Sequence, residues 1–231
     1  GVEFIELPIA FDGLTVLINK ENTFAASLTV DELKKMWAPG STINNWKDVR
    51  AGFPDLKITY FGAGTDSGTF DYFTKAIVGE EKSIRKDYQG SEDDNVTMKG
   101  IQGDKGAIGF IGYSYFSMNK DAVNAVAIDA GTGAVAPSES TIQDGTYQPL
   151  GRPLFIYVAK SAAARPEVKA FVEFYVSADG HKIMKEEGFV PLPDAAYDLV
   201  RARFTAGKTG SAFGGETTVG VKIEDILAKE K

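Results

Sequence analysis

The sequence predicts an α/β protein on three observations. Apolar runs of strand length alternate with stretches of helical periodicity, one strand-to-helix junction carries a Gly-rich turn, and the composition is that of a folded chain. Apolar residues make up 43% and charged residues 25% of the 231 positions, enough for one large core or two modest ones. The longest apolar runs, Leu14 to Ile18 and Leu154 to Ala159, fall far short of the roughly 20 residues that a membrane-spanning helix needs.

In chain order, Phe4 to Ala10 and Leu14 to Ile18 read as two strands, with Asp12-Gly13 as the turn between them. Thr29 followed by Glu32 fits a capping box, and Leu33, Met36 and Trp37 share one face of a short helix that stops at Pro39-Gly40. Lys57 to Phe61 is the next strand. A Gly-rich turn, Gly62 to Thr69, follows it, and Phe70, Phe73 and Ile77 then recur at helical spacing. Ser91-Glu92-Asp93-Asp94 opens a helix running through Met98 to Ile101, and Ala107 to Ile111 is a buried strand leading into the aromatic segment Tyr113 to Phe116. Ala130 to Tyr147 is rich in Gly, Ser and Thr and reads as a connector with a lobe boundary at its end. Beyond it, Arg152 to Ala159 is a strand, and Pro166 opens a helix with an apolar stripe of Val168, Phe171, Val172 and Tyr175. Two more helices run from about Asp179 to Glu187, stopped by Gly188, and from near Asp194 through Tyr197, Val200 and Phe204. Lys222 to Lys229 reads as a last short helix.

Charge and composition exclude several functions. A net charge of −7 is unsuited to nucleic acid, whose binding relies on clustered Lys and Arg; the same charge obliges any anion site to work through local donors. Zero cysteines remove disulfides, thiolate nucleophiles and sulfur metal sites. The single histidine, His181, stands beside Lys182 in a polar helix and reads as a surface residue, so a serine triad lacks its base and zinc chemistry its ligands. The acidic group Glu92, Asp93 and Asp94 lacks the alternation of a calcium loop and reads as a solvated helix start. The expectation is of no catalysis, no cofactor and no metal. The chain opens at Gly1 without a charged-then-apolar leader, and Glu3 to Ala10 already reads as a strand, which favours a start inside a larger protein over removal of a leader.

The segment with most chemical content is Gly64-Thr65-Asp66-Ser67-Gly68-Thr69. A helix start presents unpaired N–H groups, Gly68 admits a ligand close to the backbone, and the Ser67 and Thr69 hydroxyls add uncharged donors, all of which suits an anion. The same residues also read as an ordinary helix cap by Asp66 or Ser67. Arg85 reads either as an exposed surface residue or as the cation that forks onto the anion.

Taken together, the Gly64 to Phe73 stretch, the Ser91-Glu92-Asp93-Asp94-Asn95 stretch and the run Pro149 to Val158 resemble, in the same order, segments of the phosphate-binding proteins of bacterial ABC importers. Leu7 to Val16, Leu33 to Trp37 and Asn45-Trp46 extend the resemblance over almost the whole chain. It implies a periplasmic-binding-protein-like Venus flytrap of type II, with two lobes joined by two crossover strands. Residues 11–148 would be the complete second lobe; residues 1–10 and 149–231 would be a partial first lobe with an exposed apolar face. It further implies an extracytoplasmic, non-catalytic receptor, in the periplasm or lipid-anchored at the cell surface, that delivers inorganic phosphate to the permease subunits of an importer.

Ser67, Gly68 and Thr69 match the family's phosphate-binding turn, with Thr65, Asp66 and Ser91 as flanking candidates. Some relatives carry an Arg shortly before that turn, where this chain has Gly62, Ala63 and Gly64, so Arg85, held by Asp66, is the expected cation. The family's N-terminal segment has no counterpart here, which leaves three readings open: a fragment, a truncated sequence, or a nicked product whose N-terminal segment is a separate piece; the carboxylate that distinguishes phosphate from sulfate should lie in that segment. Alternatives are a receptor for sulfate, molybdate or a phosphonate, a secreted serine hydrolase using Ser67, and an anion sensor or adhesion protein on the same fold.

Overall fold

The computed structural model describes residues 1–212; the helix expected at Lys222 to Lys229 lies outside them. One strand organises the molecule. β1 (Phe4–Asn19) runs unbroken for 16 residues and is buried along most of its length, as a strand covered on both faces must be. The expected turn at Asp12-Gly13 does not form. Gly13 is instead a point of close approach, where a Cβ would come within 2.5 Å of Ile142 Cδ1 and 3.1 Å of Tyr113 Cβ.

After β1 come β2 (Ser27–Thr29), α1 (Val30–Trp37), β3 (Thr59–Ala63), α2 (Gly68–Phe73), β4 (Gln89–Ser91) and α3 (Asp94–Gly103). Then follow β5 (Ala107–Gly112), α4 (Tyr113–Met118), β6 (Val123–Ala125), β7 (Ala127–Asp129), β8 (Ala134–Val135) and α5 (Glu139–Gln143). β9 (Gly151–Ala159), α6 (Pro166–Tyr175), α7 (Ala178–Glu186), β10 (Val190–Pro191) and α8 (Asp194–Thr205) complete the described chain. The expected connector at 130–147 thus contains a two-residue strand and a five-residue helix, α5, capped by Ser138.

The main sheet has the order β10-β1-β5-β3-β4, with β6 and β9 also paired to β1. β3 is parallel to both β4 and β5, so all three end at one edge. The two halves of β1 have different partners: Phe4 to Gly13 pairs antiparallel with β9, and Leu14 to Ile18 pairs antiparallel with β5. A register shift between Pro8 and Ala10 marks a bulge, where a proline without an N–H is tolerated.

The core around residues 11–148 is dense and aromatic. Trp37 makes edge contacts with Tyr60, Phe73 and Phe110 at 5.0 to 5.3 Å between ring centroids, and Phe73 stacks on Phe110 at 3.9 Å. The capping box at the start of α1 is present in full: Thr29 accepts from the Glu32 N–H and Glu32 from the Thr29 N–H.

Residues 149–212 pack more loosely. β9 is half-buried through most of its length, and of the expected apolar stripe of α6 only Val172 is buried, while Phe171 is 56% exposed. Phe4, Tyr157, Phe174 and Ile183 are exposed with it. Among the described residues no helix is long and apolar enough to cross a membrane.

Candidate functional site

In an open α/β sheet, ligands bind beyond the carboxyl ends of the parallel strands, because there the loops diverge and leave a crevice. Here that edge gathers the turn after β3, the Ser91–Asn95 segment after β4 and the Gly112–Ser114 segment after β5. Two hydrogen bonds tie the first pair together: the Gly64 N–H donates to the Ser91 carbonyl at 2.8 Å, and the Asp66 N–H donates to Glu92 Oε1 at 3.1 Å.

Ser67 is the N-cap of α2. Its backbone is extended and its Oγ accepts the Thr69 N–H at 3.1 Å, so the cap reading is realised while the hydroxyl hydrogen stays available to a ligand. Gly68 is exposed, and a Cβ on it would meet only Arg152 Nη1, at 3.6 Å. Thr65 and Asp66 are exposed at the tip of the turn; Ser91 is half-buried and its Oγ accepts the Asp93 N–H. The turn and the Ser91 segment are therefore adjacent.

Arg85 is elsewhere. It is 1% exposed and lies 3.7 Å over the ring of Tyr60, near the start of β3, whereas the turn follows the end of that strand. Nε and Nη2 donate to Asp87 at 2.6 and 2.8 Å, Nη1 to the carbonyls of Met36 and Ile43, and Nη2 also to Asn44 Oδ1. The expected pairing with Asp66 is replaced by Asp87, and the guanidinium fork is fully spent inside the protein.

The arginine that meets the turn is Arg152, at the start of β9. Its Nη1 donates to the Gly68 carbonyl at 2.7 Å, and its Nη2 lies 3.5 Å from Thr69 Oγ1. Nε and Nη2 both donate to Asp12 Oδ2, at 3.1 and 2.7 Å. Asp12 and Arg152 face each other in the β1–β9 register, so the sheet itself sets the pair. Tyr72 reinforces the junction: its hydroxyl donates to the Gly151 carbonyl at 2.7 Å, and its ring lies 5.7 Å below the Arg152 guanidinium.

Burial pushes the Asp12 carboxyl above the ordinary carboxylate range, and the Arg152 charge opposes that rise without cancelling it. Asp94 is raised too, by burial first and then by the negative charges of Asp93 and Asp12.

Sequence reasoning placed Arg152 only as the start of a strand and Asp12 only in a turn. A signal was present for each: Arg152 is the one charge in β9 and Asp12 one of two in the otherwise largely apolar β1, and a charge in such a place must find a partner.

Ser67 Oγ contacts no histidine. His181 is half-buried rather than on the surface, stacked on Tyr197 at 3.8 Å, with its pKa lowered mainly by burial. No group of three His, Cys, Asp or Glu side chains among the described residues could hold a metal ion.

Residues 1–179 match the PBP superfamily domain. The chain is 45% identical over 233 residues to the protein SphX of Synechococcus elongatus, covering all of this chain and 68% of that one. It is 35% identical over 198 residues to the phosphate-binding protein PstS of Staphylococcus haemolyticus, covering 85% of this chain and 60% of that one. Among solved structures, a possible phosphate binding protein from Planctomyces limnophilus superposes with a TM-score of 0.77 at 42% identity, over 90% of this chain and 74% of that one. A putative phosphate ABC transporter substrate-binding protein with bound phosphate, from Clostridium perfringens, gives 0.66 at 28% identity, over 82% and 72%.

Proposed function

The chain belongs to the PBP superfamily, with the protein SphX and the phosphate-binding protein PstS among its relatives, and on that premise we propose that it captures inorganic phosphate outside the cytoplasm for an ABC importer. It does no covalent chemistry on its ligand. The reading is carried by one observation: the Ser67-Gly68-Thr69 turn sits at the carboxyl edge of the parallel strands, with Ser67 capping α2 and Gly68 open to the crevice.

In this reading the ligand oxygens accept from the Ser67 and Thr69 hydroxyls and from the backbone of the turn, with Thr65, Asp66 and Ser91 flanking them. Residues 11–148 form one lobe, residues 1–10 and 149–212 belong to the other, and β1 and β9 cross between them. Delivery to the permease follows closure of the lobes. The exposed apolar side chains Phe4, Tyr157, Phe171 and Phe174 are where a further segment of the first lobe would pack. Arg85, with its donors consumed, is assigned to the core.

Isothermal titration with phosphate and then sulfate at neutral pH tests the proposal, with Ser67→Ala as the control at the turn. Phosphate heat that sulfate does not reproduce, weakened in the variant, is the expected result. Equal binding of both anions would make the protein a general oxyanion receptor, and binding of neither would remove the ligand assignment.

A further inference from the structure

We propose that Arg152 supplies the positive charge of the anion site and that Asp12 is the residue that positions it, so that the ligand is held by a crossover strand as well as by the turn. The proposal rests on the phosphate reading above and adds to it the residue that supplies charge.

The turn has no cation of its own, since Gly62, Ala63 and Gly64 precede it. Among the described residues Arg152 is the one basic side chain hydrogen bonded to the turn. The other arginines bond elsewhere: Arg50 to Glu32, Arg85 to Asp87, Arg165 to Glu167, Arg201 to Asp198, and Arg203 to the Glu6 carbonyl.

The donors of Arg152 are not exhausted. A guanidinium offers five N–H groups in a fixed fork. Two go to Asp12 and one to the Gly68 carbonyl. That leaves the second N–H of Nη1 and the second N–H of Nη2, the latter only loosely engaged by Thr69 Oγ1 at 3.5 Å. The side chain is 18% exposed, so an anion at the turn can reach it without opening the protein.

Asp12 fixes which way the fork points. It sits directly across from Arg152 in the sheet register and is 7% exposed, and it takes the Nε edge of the guanidinium through Oδ2. The Nη1 side is thereby turned to the Gly68 carbonyl and the ligand. Tyr72, a residue of α2, lies under the guanidinium and bonds the start of β9. Turn, cation and the start of β9 are thus joined by direct contacts, so an anion that engages both the hydroxyls and Arg152 is tied to β9.

The test is phosphate titration of the wild-type protein and of Ser67→Ala, Arg152→Gln, Arg152→Lys, Asp12→Ala and the double variant Asp12→Ala/Arg152→Gln. A charge-assisted hydrogen bond lost to the ligand predicts an affinity about 10- to 100-fold lower in Arg152→Gln. Arg152→Lys should lose about tenfold, because an ammonium cannot satisfy Asp12 and the ligand with one planar fork.

Asp12→Ala should weaken phosphate several-fold in the wild-type background and change nothing further in Arg152→Gln, since positioning an absent guanidinium has no effect. If Arg152→Gln does not fold, Arg152→Lys decides alone. Affinity within twofold of wild type in the Arg152 variants, while Ser67→Ala is weakened, would overturn the assignment and leave the phosphate reading standing. Additive losses for Asp12 and Arg152 would remove the positioning role. A wild-type protein that binds no phosphate would overturn both.

Discussion

Arg85 and Arg152 are both arginines drawn into the fold and paired with an aspartate, and they have opposite uses. Arg85 is the more deeply buried, yet its aspartate, Asp87, is 63% exposed; Arg152 is the more exposed, and its aspartate, Asp12, is only 7% exposed. At Arg85 every face of the guanidinium is met by protein: two carbonyls, Asn44, Asp87 and the ring of Tyr60. At Arg152 one edge is fixed by a buried carboxylate and the other is left beside a hydroxyl-bearing turn. A cation becomes a ligand-binding group when its partner holds it without consuming it, and burial of the partner rather than of the cation is what separates the two cases.

The largest expected effect lies on the Arg85 side. Arg85→Ala leaves the Met36 carbonyl and Asn44 Oδ1 without this donor, takes one of two donors from the Ile43 carbonyl, which keeps the Tyr60 hydroxyl, and opens a cavity against Tyr60. Unfolding in urea should show a loss of about 3 kcal/mol, from a buried acceptor left unsatisfied and the cavity left by the side chain. Titration at a temperature where the variant is still folded should give an unchanged phosphate affinity. A weakened affinity with intact stability would reverse the roles of the two arginines.

A smaller effect is expected at the turn. Ser67→Ala removes both a helix cap and a ligand donor, so it should cost about 1 kcal/mol of stability and about tenfold in phosphate affinity. Thr69→Ala keeps the cap and should cost affinity alone. Loss of stability without loss of affinity in Ser67→Ala would return the turn to the plain capping role.

The two pairs also answer pH with opposite signs. Asp12 is raised by burial against the pull of Arg152, so its favourable contribution is fully present below its ordinary value of 3.8 and is lost as pH rises through the folded value. Asp87 is lowered, chiefly by its hydrogen bonds to Arg85, so its contribution is present above 3.8 and is lost as pH falls through the folded value. Arg152→Gln takes away the charge that opposes burial and pushes the Asp12 carboxyl higher. Urea unfolding of Arg152→Gln against wild type between pH 4 and 7 should therefore show a deficit that grows with pH. A constant deficit would mean that Asp12 does not feel the guanidinium.

How much of this was legible in the sequence depends on the distance over which the interactions run. α1 and α3 were legible because their signals are local: Thr29 and Glu32 cap within one turn, and Asp93 accepts from the Asn95 N–H two residues on. The Ser67-Gly68-Thr69 turn was legible for the same reason. β1 was divided in two because Asp12-Gly13 looks like a turn locally, whereas its conformation is set by Arg152 and Gly151 across the sheet and by Ile142 packed against Gly13. The cation was missed because Arg152 meets Gly68 from 84 positions away, and only the pairing of β9 with β1 brings them together. Arg85 offered no local sign that Met36, Ile43 and Asn44 would close over it.

The smallest expected effect concerns the aspartate first matched to Arg85. Asp66 is exposed, its N–H is bonded to Glu92, and its carboxylate makes no bond to Arg85. Asp87 takes two bonds from that guanidinium, at 2.6 and 2.8 Å. Asp87→Asn keeps one acceptor but leaves a buried cation without its counter-charge, and should lower stability by about 1 to 2 kcal/mol, moderated by the exposure of the carboxylate. Asp66→Asn should stay within about 0.5 kcal/mol of wild type, as a surface change away from any cap or pair does. Parallel urea titrations of the two variants separate the cases. Equal losses would mean that Asp66 reaches Arg85 after all, and the guanidinium would then have to lie close enough to the turn to compete with Arg152 for the ligand.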